Sequence, residues 1–312
     1  MVDVVRYTPE RAEEWNQFVA ESKNGTFLFD RRYMDYHSDR FSDFSVMLYE
    51  NKRLLALFPA NRAGETVFSH QGLTYGGLVM NGKATAAKVC EWMTMINAFY
   101  KEQNVRRVVC KPLPWIYAAM PSEELIYALN MVCKARLCSR DIASVIRFDH
   151  HVPFTTLRKR CVAKARKNNV SVAFSDDYER FWQLLSDNLL EKYGAKPVHS
   201  LQEILLLKSR FKENIRLFAA FENGEMLGGT VLYQTPMVVK TQYISASKRG
   251  KEIGALDLLF DHLINDGVFT QDYFDMGTSA MDDSNELKLP LLFQKEGFGA
   301  RAVCYDTYEW TL

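Results

Sequence analysis

Residues 238–265 read VVKTQYISASKRGKEIGALDLLFDHLIN, and this stretch decides the fold that the sequence predicts. An apolar strand over residues 237–245 is followed by a basic glycine loop at 248–254 and an amphipathic helix over 255–265. A second strand ends at 273–277, and a second helix closes in the FQKEGFG of 293–299. A helix that begins after glycines presents unpaired N–H groups and the positive end of its dipole, which suits a phosphate or another anion. The alternative is that Gly250 and Gly254 only form a tight turn into the helix.

Length and composition limit the class of protein. A chain of 312 residues, 47% hydrophobic and 25% charged, fits a globular protein of two domains. The net charge of +1 is small for a protein that coats nucleic acid, so an anionic partner would need a local basic patch. The sequence has neither a signal peptide pattern nor a membrane-length apolar run, and we therefore expect a cytoplasmic protein without a membrane span. The six cysteines lack a Cys-x-x-Cys pair, which indicates reduced, buried thiols and no metal site.

The order of predicted elements occurs twice. Glu222-Asn223 lies 172 positions after Glu50-Asn51, and both pairs sit in turns between apolar strands. Ala300-Arg301 lies 165 positions after Ala135-Arg136. These offsets predict two copies of one α/β unit, over residues 1–152 and 153–312. Each copy would contain a strand and helices, a meander of antiparallel strands, and then a strand, a helix and a strand.

This order, with a basic glycine loop leading into the helix at 255–265, resembles the GNAT acyltransferase fold used twice. In its details the sequence resembles the Fem-type aminoacyl transferases of peptidoglycan bridge synthesis and the BioF2-like acetyltransferases related to them. The stretches that carry the likeness are 157–172, 254–259, 274–277 and 292–300. The last is similar to the Phe-Lys-x-x-Phe-Gly signature of the family, with one residue inserted between Phe293 and Lys295.

The resemblance implies an α/β (α+β) fold of two tandem GNAT-like domains, each with a mixed, mostly antiparallel central sheet flanked by helices. It also implies an acyltransferase that moves an acyl group, from acetyl-CoA or another acyl-CoA, to an amine of a small or cell-envelope-related acceptor. The C-terminal domain would hold the donor. The N-terminal copy lacks the glycine loop at residues 82–86, so an acceptor-binding or structural role is expected for it.

The donor site implied by the resemblance lies at the glycine loop. Its donor-binding residues would be Arg249, Gly250, Lys251, Gly254 and Ala255. The usual pattern of the GNAT loop ends in glycine or alanine, whereas this chain has Leu256 in that place.

Three residues are candidates for the chemistry. Tyr243 would act as a general acid or orient the acyl group, Asp275 would accept a proton or fix an amine, and Lys295 would stabilise charge in the transition state. The alternatives are an ordinary strand aromatic for Tyr243, a local turn for Asp275 and a surface position for Lys295.

Substrate binding is predicted for His70, Tyr75 and Arg158. His70 precedes the glycine-rich segment 72–77, in which Tyr75 is flanked by glycines that permit close backbone approach to a strand or a ligand. Arg158 belongs to the basic helix at 154–168, which is either a patch for a phosphorylated anion or a solvated helix face. A structural role for His70 is the alternative.

Three functions therefore remain in competition at the level of sequence. The first is transfer from an acyl-CoA to a small-molecule or cell-envelope precursor. The second is a Fem-type transferase that takes its amino acid from aminoacyl-tRNA. The third is a tandem domain that binds a metabolite or a partner without catalysis. The oligomeric state is left open.

Overall fold

The protein is described from a computed structural model, in which residues 2–281 and 286–312 are placed. The chain forms two compact units, Met1–Asp141 with Cys304–Leu312, and Ile142–Val303. This division differs from the predicted ranges 1–152 and 153–312, because the end of the chain returns to the first unit. The donor-binding and acceptor-binding roles of the two domains stay predictions.

The first unit combines two groups of strands with four α-helical segments among its described residues. Its strands are β1 (Val2–Arg6), β2 (Val46–Glu50), β3 (Arg53–Phe58), β4 (Asn61–Ala63), β5 (Thr66–Phe68), β6 (Val79–Met80), β7 (Arg107–Cys110), the start of β8 (Arg136–Arg147) and the end of β16 (Arg301–Thr311). Its helices are α1 (Ala12–Glu21), α2 (Arg31–Met34), α3 (Ala86–Glu102) and α4 (Glu124–Met131). Strands β1, β2, β3 and β6 form an antiparallel sheet, whereas β5 and β7 pair in parallel between β4 and β16.

Helix α3 covers the core of the first unit. Its buried side chains Val89, Trp92, Met93 and Ile96 recur at helical spacing, so one stripe of the helix is removed from water. The stripe packs in one cluster with side chains of the sheets, among them Phe58. Burial of such aromatic and aliphatic side chains supplies the main stabilisation of the unit.

The second unit is built around a mostly antiparallel sheet. Its strands are the end of β8, β9 (Ser171–Ser175), β10 (Ile215–Glu222), β11 (Glu225–Gln234), β12 (Val238–Ala246), β13 (Tyr273–Thr278), β14 (Ala280–Met281), β15 (Glu286–Leu287) and the start of β16. Its helices are α5 (Thr156–Lys167), α6 (Tyr178–Tyr193), α7 (Leu201–Arg210), α8 (Lys248–Ile253), α9 (Ala255–Asn265) and α10 (Leu289–Glu296). The sheet order is β8, β13, β12, β11, β10, β9, and β12 with β13 is its parallel pair.

Helices cover both faces of this sheet. Phe218 and Ala220 of β10 belong to the same core cluster as Leu259 of α9. Leu217 of β10 and Phe181 of α6 both approach Gly229 of β11. Because successive strand residues point to opposite faces, α9 and α6 lie on opposite sides of the sheet.

Both Glu-Asn turns form the predicted hairpins. β2 and β3 pair antiparallel around Asn51, and β10 and β11 pair around Asn223. Each asparagine has a φ of 51°, a left-handed conformation that asparagine tolerates better than most residues. The prediction of these two hairpins is confirmed.

The predicted glycine loop at 248–254 is wrong in its conformation. Residues 248–253 form helix α8, because the Ser247 side chain caps it by accepting the Gly250 N–H at 3.0 Å. Gly254 ends α8 with a φ of 81° and is followed directly by α9. An added Cβ at Gly254 would lie 2.6 Å from the Cys161 carbonyl oxygen of α5. Gly254 therefore permits both the turn and a close approach of two helices.

This geometry predicts the cost of substituting Gly254. We expect Gly254→Ala to lower the free energy of unfolding by about 2–4 kcal/mol, since it combines left-handed strain with a backbone clash. Gly224→Ala is the matched control, because Gly224 also has a positive φ of 79° but nothing within 4 Å of its added Cβ. The control should lose only about 1–2 kcal/mol. The free energies of unfolding are measured by urea denaturation. Equal losses in the two variants would contradict the predicted backbone clash at Gly254.

Candidate functional site

A cleft opens in the second unit where the parallel strands β12 and β13 separate. Only residues 238–240 of β12 pair with 273–275 of β13. Beyond these pairs both strands are bulged. β12 has a bulge at Gln242 in its pairing with β11, and β13 has one between Asp275 and Thr278 in its pairing with β8. Such bulges redirect strands and are frequent beside active sites.

The separated strands form the wall of a cavity of about 410 Å³. We call this cavity the cleft. It is lined by Leu185, Asn188, Leu189, Lys192, Ile244, Ser245, Ala246, Lys251, Leu256, Phe260, Met276, Leu291, Gln294 and Lys295. The lining thus comes from α6, β12, α8, α9, β13 and α10.

Backbone amides of β12 point into the gap. The Ser247 N–H donates to the Leu227 carbonyl of β11 at 2.8 Å. The Ala246 carbonyl faces away from β11, because it accepts from the Asn188 side chain at 3.0 Å. Since amide directions alternate along a strand, the N–H groups of Ala246 and Ile244 also point away from β11. They lie on the side on which β12 has parted from β13.

The cleft is cationic. Lys192, Lys251 and Lys295 line it, and the described lining residues include no aspartate or glutamate. Apolar side chains supply much of the remaining wall, with Leu256 and Phe260 of α9 among them. A cavity of this character suits a ligand with an apolar arm and an anionic group.

Asn188 of α6 organises one side of the cleft. Its side-chain amide donates to Ser245 Oγ at 2.9 Å and to the Ala246 carbonyl at 3.0 Å. Its Oδ1 accepts from the Lys251 ammonium at 2.6 Å. This residue ties Lys251 to strand β12, and nothing in the local sequence around it indicates that role.

Lys295 is buried at the floor of the cleft, and a surface position for it is wrong. Its ammonium donates to the carbonyls of Gly277 at 2.9 Å and Thr278 at 2.7 Å. Burial lowers the pKa of Lys295 from 10.5 to about 8, against the opposing effect of Asp275 and with a further lowering by Lys240. Two of the three ammonium hydrogens are used by carbonyls, and no acceptor for the third is found among residues 2–281 and 286–312.

Asp275 lies beneath the cleft and does not line it. The residue is completely buried; its carboxylate accepts the Gly277 N–H at 2.7 Å and pairs with the Lys240 ammonium at 3.2 Å. The bond to Gly277 is the local turn that the sequence offered as the alternative. Lys240 was not predicted, and only the pairing of β12 with β13 brings it to Asp275.

Tyr243 is directed toward α6 and the segment before α7. Its hydroxyl accepts the backbone N–H of His199 at 3.2 Å and is hydrogen-bonded to Nδ1 of the same residue. Its ring packs edge-on against Trp182, with 4.9 Å between centroids. Tyr243 is not among the residues that line the cleft, so its catalytic role stays a prediction.

The residues predicted to hold the donor separate into two groups. Lys251 lines the cleft, whereas Arg249 forms a salt bridge with Glu222 at 2.7 Å. Gly250 serves close packing, because an added Cβ would lie 2.4 Å from the Leu227 carbonyl oxygen. Gly254 acts in the same way against α5, and Ala255 is fully buried in the core.

Arg158 joins two helices. Its guanidinium pairs with Asp257 of α9 at 2.6 Å and lies over the Phe298 ring, 5.3 Å from its centroid. These contacts give Arg158 a structural place, and a substrate-binding role for it stays a prediction.

His70 and Tyr75 belong to the first unit. Tyr75 is buried, donates to Thr26 Oγ1 at 3.2 Å and packs against the Tyr117 ring, with 4.7 Å between centroids. His70 lines a cavity of about 220 Å³. No cluster of metal-ligating side chains occurs within residues 2–281 and 286–312. None of the helices placed there has the length and apolar character that crossing a bilayer requires.

Comparison with known proteins gives a result at the level of structure. No protein-family model matches the chain, and no curated protein matches it significantly in sequence. The structure of FemX matches with a TM-score of 0.70 at 10% identity, over 99% of this chain and 97% of FemX. The structure of L-PGS from Bacillus licheniformis matches with a TM-score of 0.62 at 12% identity, over 98% of this chain and 92% of that one.

A third match bears on the internal repeat. A tandem GNAT protein from the clavulanic acid biosynthesis pathway matches with a TM-score of 0.52 at 10% identity, over 100% of this chain and 98% of that one. At these identities the likeness is one of fold. The chain therefore has a tandem GNAT-like fold, and the predicted fold class is confirmed.

Proposed function

We propose that the second unit is an N-acyltransferase that takes its acyl group from an acyl-CoA and passes it to an amine of a small or cell-envelope-related acceptor. The observation that carries this proposal is the cleft between β12 and β13, with three lysines and no acidic residue in its described lining. The fold shared with acyl-transferring proteins supports a transferase. The donor and the acceptor are proposals.

The shape and charge of the cleft match an acyl-CoA in two respects. Its apolar walls suit a pantetheine arm, and the ammonium groups of Lys251 and Lys192 suit phosphates. The N–H groups of Ile244 and Ala246 offer hydrogen bonds to an extended chain or to a thioester carbonyl. Leu256, the second residue of α9, puts an apolar side chain in the lining at the start of that helix, so we assign the phosphates to the lysines and not to the helix terminus.

The proposed reaction needs positioning and charge stabilisation. The free amine of the acceptor attacks the thioester carbonyl carbon, and the carbonyl oxygen becomes an oxyanion. Amides of β12 and the third N–H of Lys295 stabilise that oxyanion. The intermediate collapses with loss of the CoA thiolate, and the proton released by the amine neutralises this thiolate. Since Asp275 is buried and paired, we assign it to holding the charges of Lys240 and Lys295.

The donor site is tested by thermal-shift titration with acetyl-CoA and longer acyl-CoAs. We expect saturable stabilisation that grows with ligand concentration. Lys251→Gln should weaken binding by about five- to tenfold through the loss of one charge-assisted contact. Acetyl-pantetheine, which lacks the nucleotide phosphates, should bind weakly to the wild-type protein and to the Lys251→Gln variant alike.

Two further variants make this test specific. Lys248→Gln is the matched control, because Lys248 is an exposed residue of the same helix that does not line the cleft. Arg249→Gln should resemble the control, since Arg249 is already paired with Glu222. Absence of stabilisation by every acyl-CoA would refute the proposed donor.

The lowered pKa of Lys295 predicts a pH-dependent stability. Between its folded pKa of about 8 and the ordinary value of 10.5, the unfolded chain keeps a proton that the folded chain has released. The free energy of unfolding should therefore rise with pH over this interval. Lys295→Met should lack this rise, which is measured as the difference in melting temperature between the two proteins from pH 7 to pH 10. Parallel curves would show that Lys295 is not buried as described.

A second candidate function is transfer from aminoacyl-tRNA, and helix α5 favours it. Lys159, Arg160 and Lys167 are exposed on this helix, whereas Arg166 is paired with Asp261. Exposed lysines and arginines on one helix suit the phosphates of a nucleic acid. The apolar and cationic cleft would then receive the aminoacylated end of the tRNA.

Salt dependence distinguishes this candidate. If tRNA is the donor, replacing Lys159, Arg160 and Lys167 by glutamine should reduce the slope of log K against log salt by about 2–3. Glutamine at Lys52, Lys101 and Lys134, which are exposed in the first unit, is the matched control. An unchanged slope, or stabilisation by acyl-CoA alone, would decide against aminoacyl-tRNA.

A further inference from the structure

The first unit contains a small cavity at the equivalent place in its own topology. β5 and β7 are its parallel pair, and Thr66, the first residue of β5, lies 172 positions before Val238 of β12. Here the chain leaves the pairing at Ser69 and returns at Gly76, whose N–H donates to the Lys111 carbonyl at 2.6 Å. The segment between these two residues fills part of the gap and leaves a pocket of about 220 Å³. Its lining is Phe68, Ser69, His70, Gln71, Val109 and Lys111.

His70 is held in a strained backbone conformation at this point. Its φ is 74°, in the left-handed region that a residue with a side chain rarely adopts. The following residue, Gln71, is held by Asn61 through its backbone and its side chain. Gln71 N–H donates to Asn61 Oδ1 and Asn61 Nδ2 donates to Gln71 Oε1, each at 2.8 Å. Leu73 N–H donates to the His70 carbonyl at 3.1 Å. Strain of about 1–3 kcal/mol persists only where neighbouring contacts impose it, and such positions cluster at ligand sites.

The imidazole of His70 is buried with a polar atom left unsatisfied. The residue is 5% exposed, and its Nδ1 has no hydrogen-bond partner in the part of the chain that the structure describes. The ring stacks on His37, with 5.2 Å between centroids, and meets Phe41 edge-on at 5.7 Å. Burial, with smaller effects of His37 and Arg31, lowers the pKa of His70 to about 3, so the ring is neutral. A buried polar atom without a partner is costly.

The lining and the size of the cavity limit the class of ligand. Lys111 brings a cation, His70 a neutral hydrogen-bonding ring, and Phe68 with Val109 an apolar wall. The volume of about 220 Å³ accommodates an amino-acid-sized molecule. We propose that the first unit binds the carboxylate of an amino-acid-sized molecule here, with Lys111 as counter-ion and the His70 side chain in the lining of the site. This site is independent of the proposed acyl-CoA cleft.

The test is isothermal titration of the full chain with glycine, L-alanine and acetate, and with glycinamide as the probe that lacks a carboxylate. We expect saturable binding of the acids and at least about tenfold weaker binding of the amide, since the charged contact is lost. Lys111→Gln should weaken binding of the acids to a similar extent. Lys101→Gln, which alters an exposed lysine outside the lining, should leave it unchanged.

His70→Gly tests the histidine without the risk of added strain. Glycine accepts a positive φ, so relief of strain offsets part of the loss of the buried ring, and the melting temperature checks that the variant stays folded. Binding of the acids should fall by at least about tenfold. In wild-type protein labelled with ¹⁵N-histidine, the imidazole signal that His70→Gly removes should shift when an acid is added. Equal affinity for acids and amide, unchanged binding in His70→Gly, or no binding of any acid would each overturn the proposal.

Discussion

The early end of strand pairing between β12 and β13 is the constraint on which the second unit depends. A sheet interior leaves no water for backbone groups, so strands that part after three residue pairs must satisfy their amides in another way. Bulges turn both strands at this point, and the Asn188 side chain takes up the Ala246 carbonyl. The amides that point into the gap form a surface whose position is fixed by the sheet. Rigid strands hold such a surface more precisely than a loop would.

The first unit meets the same constraint in the opposite way. Its chain leaves β5 and returns to pair again beside Lys111, which requires Gly76 because an added Cβ would lie 1.9 Å from the Ser69 carbonyl oxygen. The gap is closed by the chain itself, and the cost is the strained backbone of His70. One topology thus yields a cationic cleft of about 410 Å³ in one unit and a pocket of about 220 Å³ in the other.

Local patterns in the sequence predicted the elements better than the contacts between them. The two Glu-Asn turns follow from short-range signals, and the place of Lys295 in a signature came from the resemblance to a known family. The prediction of a loop at residues 248–253 was wrong because it relied on the two glycines and overlooked Ser247, which is a good helix cap. Lys240 and Asn188 were missed, since only the folded sheet brings them to Asp275 and Lys251. For the same reason the pairing of Arg249 with Glu222 could not be read from the chain.

The charge balance under the cleft explains why it can stay cationic. The buried carboxylate of Asp275 interacts with two lysines. It forms a salt bridge with Lys240, and its negative charge raises the pKa of Lys295. Burial works against the charge of Lys295, but the resulting pKa of about 8 still lies above neutrality. Without Asp275, two ammonium groups would face each other in a poorly solvated site, and the desolvation that now lowers the pKa of Lys295 would be unopposed. The buried aspartate therefore favours the protonated form of the lysine that reaches the cleft, although Asp275 does not line the cleft itself.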